Sequence, residues 1–224
     1  MSQAPGHAPP EGAPALSPGF HVAHHFDDAK TQFDSARMGV WIFLVTEILF
    51  FGGMFCAFAV FRTWYFDAFK QAHHHLDKVM GAVNTIVLIC SSLTMALGVR
   101  SAQLSNRKWT VRMLVLTILF ACTFLVIKYF EYAHKFHDGL LPGKFFTAEG
   151  DPDQGIFFAV YFMMTGVHGL HVVIGIGLIS WVLIRAAKGE FSSRYYAPVE
   201  GVGLYWHLVD LIWIYLFPLL YLVG

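Results

Sequence analysis

A few titratable side chains in this sequence lie deep inside apolar runs. Glu47 is the only charged residue between Met38 and Phe61. His168 and His171 stand three apart in Thr165-Gly-Val-His-Gly-Leu-His-Val-Val173, and His207 and Asp210 stand three apart in Tyr205-Trp-His-Leu-Val-Asp-Leu211. Glu131 and His134 follow a third apolar run, and Asn84 adds a neutral amide. Residues three apart on a helix share a face, so each pair is expected to turn toward other helices, where partners exist, and away from lipid. A carboxylate at such depth costs ~2.5–3.5 kcal/mol to insert. Glu47 must therefore be paired, protonated or put to use.

Three chemistries fit these residues. The first is hydrogen bonding across helices, with each contact contributing about 0.6 kcal/mol. Small residues such as Gly53, Ala57, Gly166, Gly169, Gly175 and Gly177 agree with it, since they let other backbones approach. The second is a haem or metal site. Two histidines on one helix face cannot both be axial ligands of one iron, and no Cys-x-x-Cys, Cys-x-x-Cys-His or His-Glu-x-x-His motif occurs. No metal ligand and no catalytic residue is therefore assigned. The third is a proton path, for which intramembrane Glu, Asp and His are the usual groups. A stand-alone membrane transporter would be expected to show broken helices or paired halves. Gly52-Gly53 is a weak point without a second copy, so assistance to a neighbouring protein's proton uptake is the form of this reading that stays open.

The elements that must position these groups are five apolar runs, at about 38–62, 79–99, 110–130, 155–184 and 203–222, each long enough to span a bilayer as a helix. The chain reads as an all-α integral membrane protein, with a flexible tail over 1–37 and one transmembrane domain over 38–224. With 56% of residues apolar, 13% charged and zero formal net charge, a basic nucleic-acid binder is excluded. Cys56, Cys90 and Cys122 fall inside apolar runs without redox or metal spacing and read as small packing residues. His7, His21, His24 and His25 read as part of a solvated tail, and His73, His74 and His75 as a solvated loop. Lys and Arg counts, nine against six, favour a cytoplasmic amino terminus and an outer carboxyl terminus. Lys128 and Lys135 are counted there on the outer side.

Four stretches resemble subunit III of the haem-copper oxidases. They are Met38-Gly-Val-Trp-Ile-Phe-Leu-Val-Thr-Glu47 with the residues to Gly52, Asn84-Thr85, Thr165 to Gly175, and Tyr205-Trp-His-Leu-Val-Asp-Leu-Ile-Trp213. The similarity runs in order over about 33–223. It implies a non-redox accessory subunit of an aerobic terminal oxidase, set beside catalytic subunit I in a bacterial inner membrane, with the carboxyl terminus in the periplasm. Haem and copper would then belong to neighbouring subunits, and the oxidoreductase activity to the complex. The resemblance also implies stabilisation of the catalytic subunit, support of proton uptake, contact with phospholipid and an oxygen route. Glu47, Asp210, His207, His168, His171, Glu131 and His134 are the intramembrane polar candidates, and Arg62, Trp64 and Arg100 the candidates for lipid head-group contacts.

Two departures from the long form of the family stand out. Five apolar runs stand against its seven helices, so the first two are expected to be lacking, and Cys56 occupies a position where Trp is usual. Five-helix versions occur in bacterial cytochrome c oxidases, in quinol oxidases and in relatives linked to nitric oxide reductases. The run Ile127 to Pro142 resembles the bacterial short forms. A quinol oxidase or a nitric oxide reductase-linked complex is therefore the alternative within the family.

Overall fold

A computed structural model describes residues 29–141, 153–193 and 195–222. Six α-helices follow one another: α1 (Ala29–Trp64), the short α2 (Phe66–Ala72), α3 (Lys78–Gln103), α4 (Arg107–His137), α5 (Gln154–Lys188) and α6 (Ala197–Phe217). A 3-10 turn, His73–His75, follows α2, and a wide π turn, Pro218–Leu222, follows α6. No named strand occurs among the described residues, and five of the helices are long and apolar enough to cross a membrane.

The helix ends carry local signals. The Asp77 carboxylate accepts from the Val79 and Met80 amides at 2.8 and 3.0 Å and caps α3. Asn106 caps α4 through the Trp109 amide at 3.3 Å. Gly189 closes α5 at φ 82°, a left-handed conformation that glycine adopts without a Cβ penalty. Pro198 lies in the first turn of α6, where its missing N–H costs nothing.

Two boundaries differ from the hydropathy reading. Helix α1 starts at Ala29 rather than Met38, so 29–37 is helix and not tail. Helix α4 runs on to His137 instead of stopping near residue 130, because charged groups that lower its hydropathy are partnered inside the protein. The tail histidines and most of the long connection after α4 lie outside the described residues.

Helices α3 to α6 form a four-helix core. The antiparallel pair α3–α4 shares the largest contact, α6 packs on α3 and α5, and α4 packs on α5. Trp206, Trp213, Tyr161 and Tyr221 are fully buried there. A Cβ on Gly175 would stand 2.6 Å from Cζ3 of Trp206, so this glycine lets the α6 indole lie on the α5 backbone. The other glycines expected at close approaches behave differently. Nothing lies within 4 Å of where a Cβ on Gly53, Gly166, Gly169 or Gly177 would stand. Cys56 and Cys122 also point outward rather than into the packing. Helix α1 lies against α5 and α6 and leaves Trp41, Ile42, Ile48, Leu49 and Phe50 exposed, as a lipid-facing or partner-facing helix does.

Candidate functional site

Glu47 faces α5, where its Oε2 lies 3.0 Å from His171 Nε2. The other ring nitrogen, Nδ1, lies 2.8 Å from the Val167 carbonyl and must carry a proton to bond there. Either Nε2 then donates to an ionised carboxylate, or a protonated carboxyl donates to a bare Nε2. In both cases the pair is neutral overall and shares one proton. Phe51 meets the imidazole edge-on at 5.0 Å, and the Tyr205 hydroxyl donates to the His171 carbonyl at 3.0 Å. The pair is not sealed: the side chains keep 18% (Glu47) and 14% (His171) exposure.

A second polar cluster ties α4 to α5 and to the C-terminal turn. Lys128 Nζ donates to Glu131 Oε2 at 2.9 Å, to the Tyr221 hydroxyl at 2.9 Å and to the Tyr161 hydroxyl at 3.2 Å. Glu131 Oε1 accepts from the Tyr221 and Tyr161 hydroxyls at 2.5 and 2.8 Å, with Lys135 Nζ 3.5 Å away. The Lys128 ammonium also sits 4.9 Å from the Trp213 ring. Tyr132 bonds Thr165 at 2.5 Å beside this group. Lys128 and Lys135, which the hydropathy pattern assigns to the outer charge count, are both buried. Their spacing around Glu131 puts all three on one helix face, and that was the available signal. His134 departs from the expectation of a shared face. Its side chain is 81% exposed and lies 3.5 Å from Asp138, because the fourth helix turns that edge outward.

The remaining interior candidates separate. His168 is fully buried between Phe124 and Trp213, with ring centroids 5.6 and 5.2 Å away, whereas His171 faces α1. The two therefore do not address one neighbour. His207 Nδ1 lies 2.8 Å from the Ser92 hydroxyl. Ser92 also stands beside Asp210 but outside hydrogen-bonding geometry, and neither Asp210 oxygen has a partner among the described residues. These positions do not make a haem or metal donor set: both His171 nitrogens are engaged, and the His168 ring is enclosed by aromatic groups. Among the described residues no group of three or more His, Cys, Asp and Glu is arranged to hold a metal ion.

At the loop end, His73 is buried rather than solvated and donates from Nδ1 to the Lys70 carbonyl at 2.7 Å. Burial holds its imidazole below the ordinary value. His74 and His75 are exposed. Of the lipid candidates, the Arg62 guanidinium lies 5.9 Å from the Phe66 ring, Trp64 is exposed, and Arg100 is exposed with Gln103 at 3.5 Å. A groove of about 430 Å³ lies between α1, α5 and α6. Val40, Phe43, Leu178 and Trp181 make its apolar wall, with Arg37 and Glu200 among its polar groups. Its Tyr205 is the residue that bonds His171.

The sequence model of the family described as cytochrome c oxidase subunit III matches residues 20–224. Cytochrome c oxidase subunit 3 of Corynebacterium diphtheriae is 32% identical over 83% of this chain and 87% of its own length. A probable quinol oxidase subunit 3 of Staphylococcus haemolyticus is 28% identical over 91% of this chain and 96% of its own. A haem-copper oxidase subunit I+III of Aeropyrum pernix is 29% identical over 85% of this chain, which spans 23% of that longer protein. The motifs, the five membrane-length helices and the match along nearly the whole chain agree: this is a multi-pass membrane protein belonging to the cytochrome c oxidase subunit III family.

Proposed function

We propose that this chain is the non-redox accessory subunit III of a terminal respiratory oxidase in a bacterial plasma membrane, held against a catalytic subunit I that carries haem and copper. The observation that carries this reading is the family match over residues 20–224. A relative in which subunits I and III form one polypeptide supports direct contact between the two. The engagement of Glu47, His171, Glu131 and His207 by neighbouring side chains favours scaffolding over electron transfer.

Two services to the catalytic subunit fit the geometry. The α3–α6 core, tied by the Lys128–Glu131 cluster, offers a stable face. The Glu47–His171 pair, neutral and partly open, is suited to exchange a proton with a neighbour's uptake route. Phospholipid is proposed at Arg62, Trp64 and Arg100, and an oxygen route remains part of the role that the resemblance implies. The same proposal puts the amino terminus in the cytoplasm. With Lys128 and Lys135 inside the bundle, the outer count of basic residues falls from six to four against nine.

Purification through a tag on this chain in mild detergent tests the proposal. The expected result is co-elution of a haem-bearing catalytic subunit with an oxidase spectrum; elution of the chain alone, at normal yield, overturns it. A second reading, subunit III of a quinol oxidase, is favoured by the near-complete overlap with the staphylococcal relative. Oxidation of a quinol but not of cytochrome c by the purified complex would select it.

A further inference from the structure

Three polar side chains in the four-helix core have no partner among the described residues. Asn84 and His168 are fully buried and neither the amide nor the two ring nitrogens meet a hydrogen-bonding group; Asp210, 2% exposed, has the Ser92 hydroxyl beside it but no bond formed to either oxygen. Their places can be read from the packing register. Ser91 accepts from the Trp206 indole at 3.0 Å and reaches the Thr117 carbonyl at 3.5 Å, which sets α3 against α6 and α4. One heptad along each antiparallel helix brings Asn84, Trp213 and Phe124 to a common level. The Trp213 and Phe124 rings meet edge-on at 4.8 Å, and His168 reaches both from α5. Asp210 precedes Trp213 by one turn of α6. Trp213 gives its only donor to Thr85 at 3.1 Å, so it satisfies none of the three.

We propose that this interior is a water-binding site, with water molecules held around Trp213 and hydrogen-bonded to Asn84, His168 and Asp210. A fully buried donor or acceptor left unpaired is strongly unfavourable, and internal water with two to four polar partners is how folded proteins usually satisfy such groups. Apolar residues at these positions would pack the bundle without that penalty, so the polar types point to a polar ligand. Water is the ligand small enough to reach between close-packed rings. The site is separate from the Glu47–His171 pair, and the inference is independent of the oxidase reading.

Radiolytic footprinting of the native membrane assembly tests it, because hydroxyl radicals formed from bound water mark the side chains beside that water. Phe124 and Phe58 are matched in type and burial, but the ring neighbour of Phe58 is Phe69. The expected result is labelling of Phe124 at least several-fold faster than Phe58. Equal or slower labelling of Phe124 overturns the proposal. In His168→Phe, which removes both ring nitrogens, the Phe124 rate should fall toward that of Phe58. The native comparison decides if that variant does not assemble.

Discussion

Two glutamates of the membrane-length helices, Glu47 and Glu131, face opposite circumstances. Glu131 is 2% exposed and is surrounded by two lysines and two tyrosine hydroxyls drawn from α4, α5 and the C-terminal turn. Glu47 lies on the outermost helix, bonds one imidazole and keeps part of its surface open. Glu131 is enclosed among fixed cations and donors, so removing it strands two buried cations. The Glu47 carboxyl and the His171 imidazole instead share one proton across a single hydrogen bond. A carboxyl deep in a membrane protein is thus not one kind of object: the first is an enclosed tie, the second one half of a partly open hydrogen-bonded pair.

This contrast sets an order of effects. Glu131→Leu should be the most damaging change, at about 3–5 kcal/mol, because breaking a buried ion pair leaves uncompensated charge. Thermal unfolding of the assembled complex in detergent reads this, and a loss under about 1 kcal/mol would remove the tie from the account. Glu47→Lys comes next. It places an ammonium at a depth where insertion costs roughly 2.5–3.5 kcal/mol, so the membrane-inserted yield should drop. Normal yield would mean that Glu47 already meets water or an anion. Tyr221→Phe deletes one hydroxyl bonded to both Lys128 and Glu131 and should cost about 1.5–3 kcal/mol, as charge-assisted bonds do. Glu47→Gln should change stability least, by no more than about 1 kcal/mol, since an amide can still bond His171. If it equalled Glu131→Leu in a melting experiment, the distinction between the two sites would collapse.

How much of this was legible in the sequence follows from what each signal measures. Five helices were legible because apolar runs of bilayer length admit little else. The far end of α4 was not. Hydropathy scores Lys128, Glu131 and Lys135 as loop-like and cannot know that they neutralise one another. Their common helix face was in the sequence, but Tyr221 and Tyr161 arrive from distant segments. His168 and His171 illustrate the same limit. Spacing put them on one face, yet a helix among several neighbours turns residues three apart toward different partners. The glycines of α5 mislead similarly, since only Gly175 of those named there meets an indole. Composition can say that a close approach is allowed, not where a neighbour takes it.

Under the proposed function this chain supports an oxidase whose redox chemistry lies in other subunits. The most direct measurement is the haem-to-protein ratio and turnover of the oxidase purified from cells with and without this chain. The expected result is an unchanged haem content per catalytic subunit, with slower turnover or faster loss of activity. Disappearance of haem in proportion to this chain, from a catalytic subunit still present at its usual level, would contradict it.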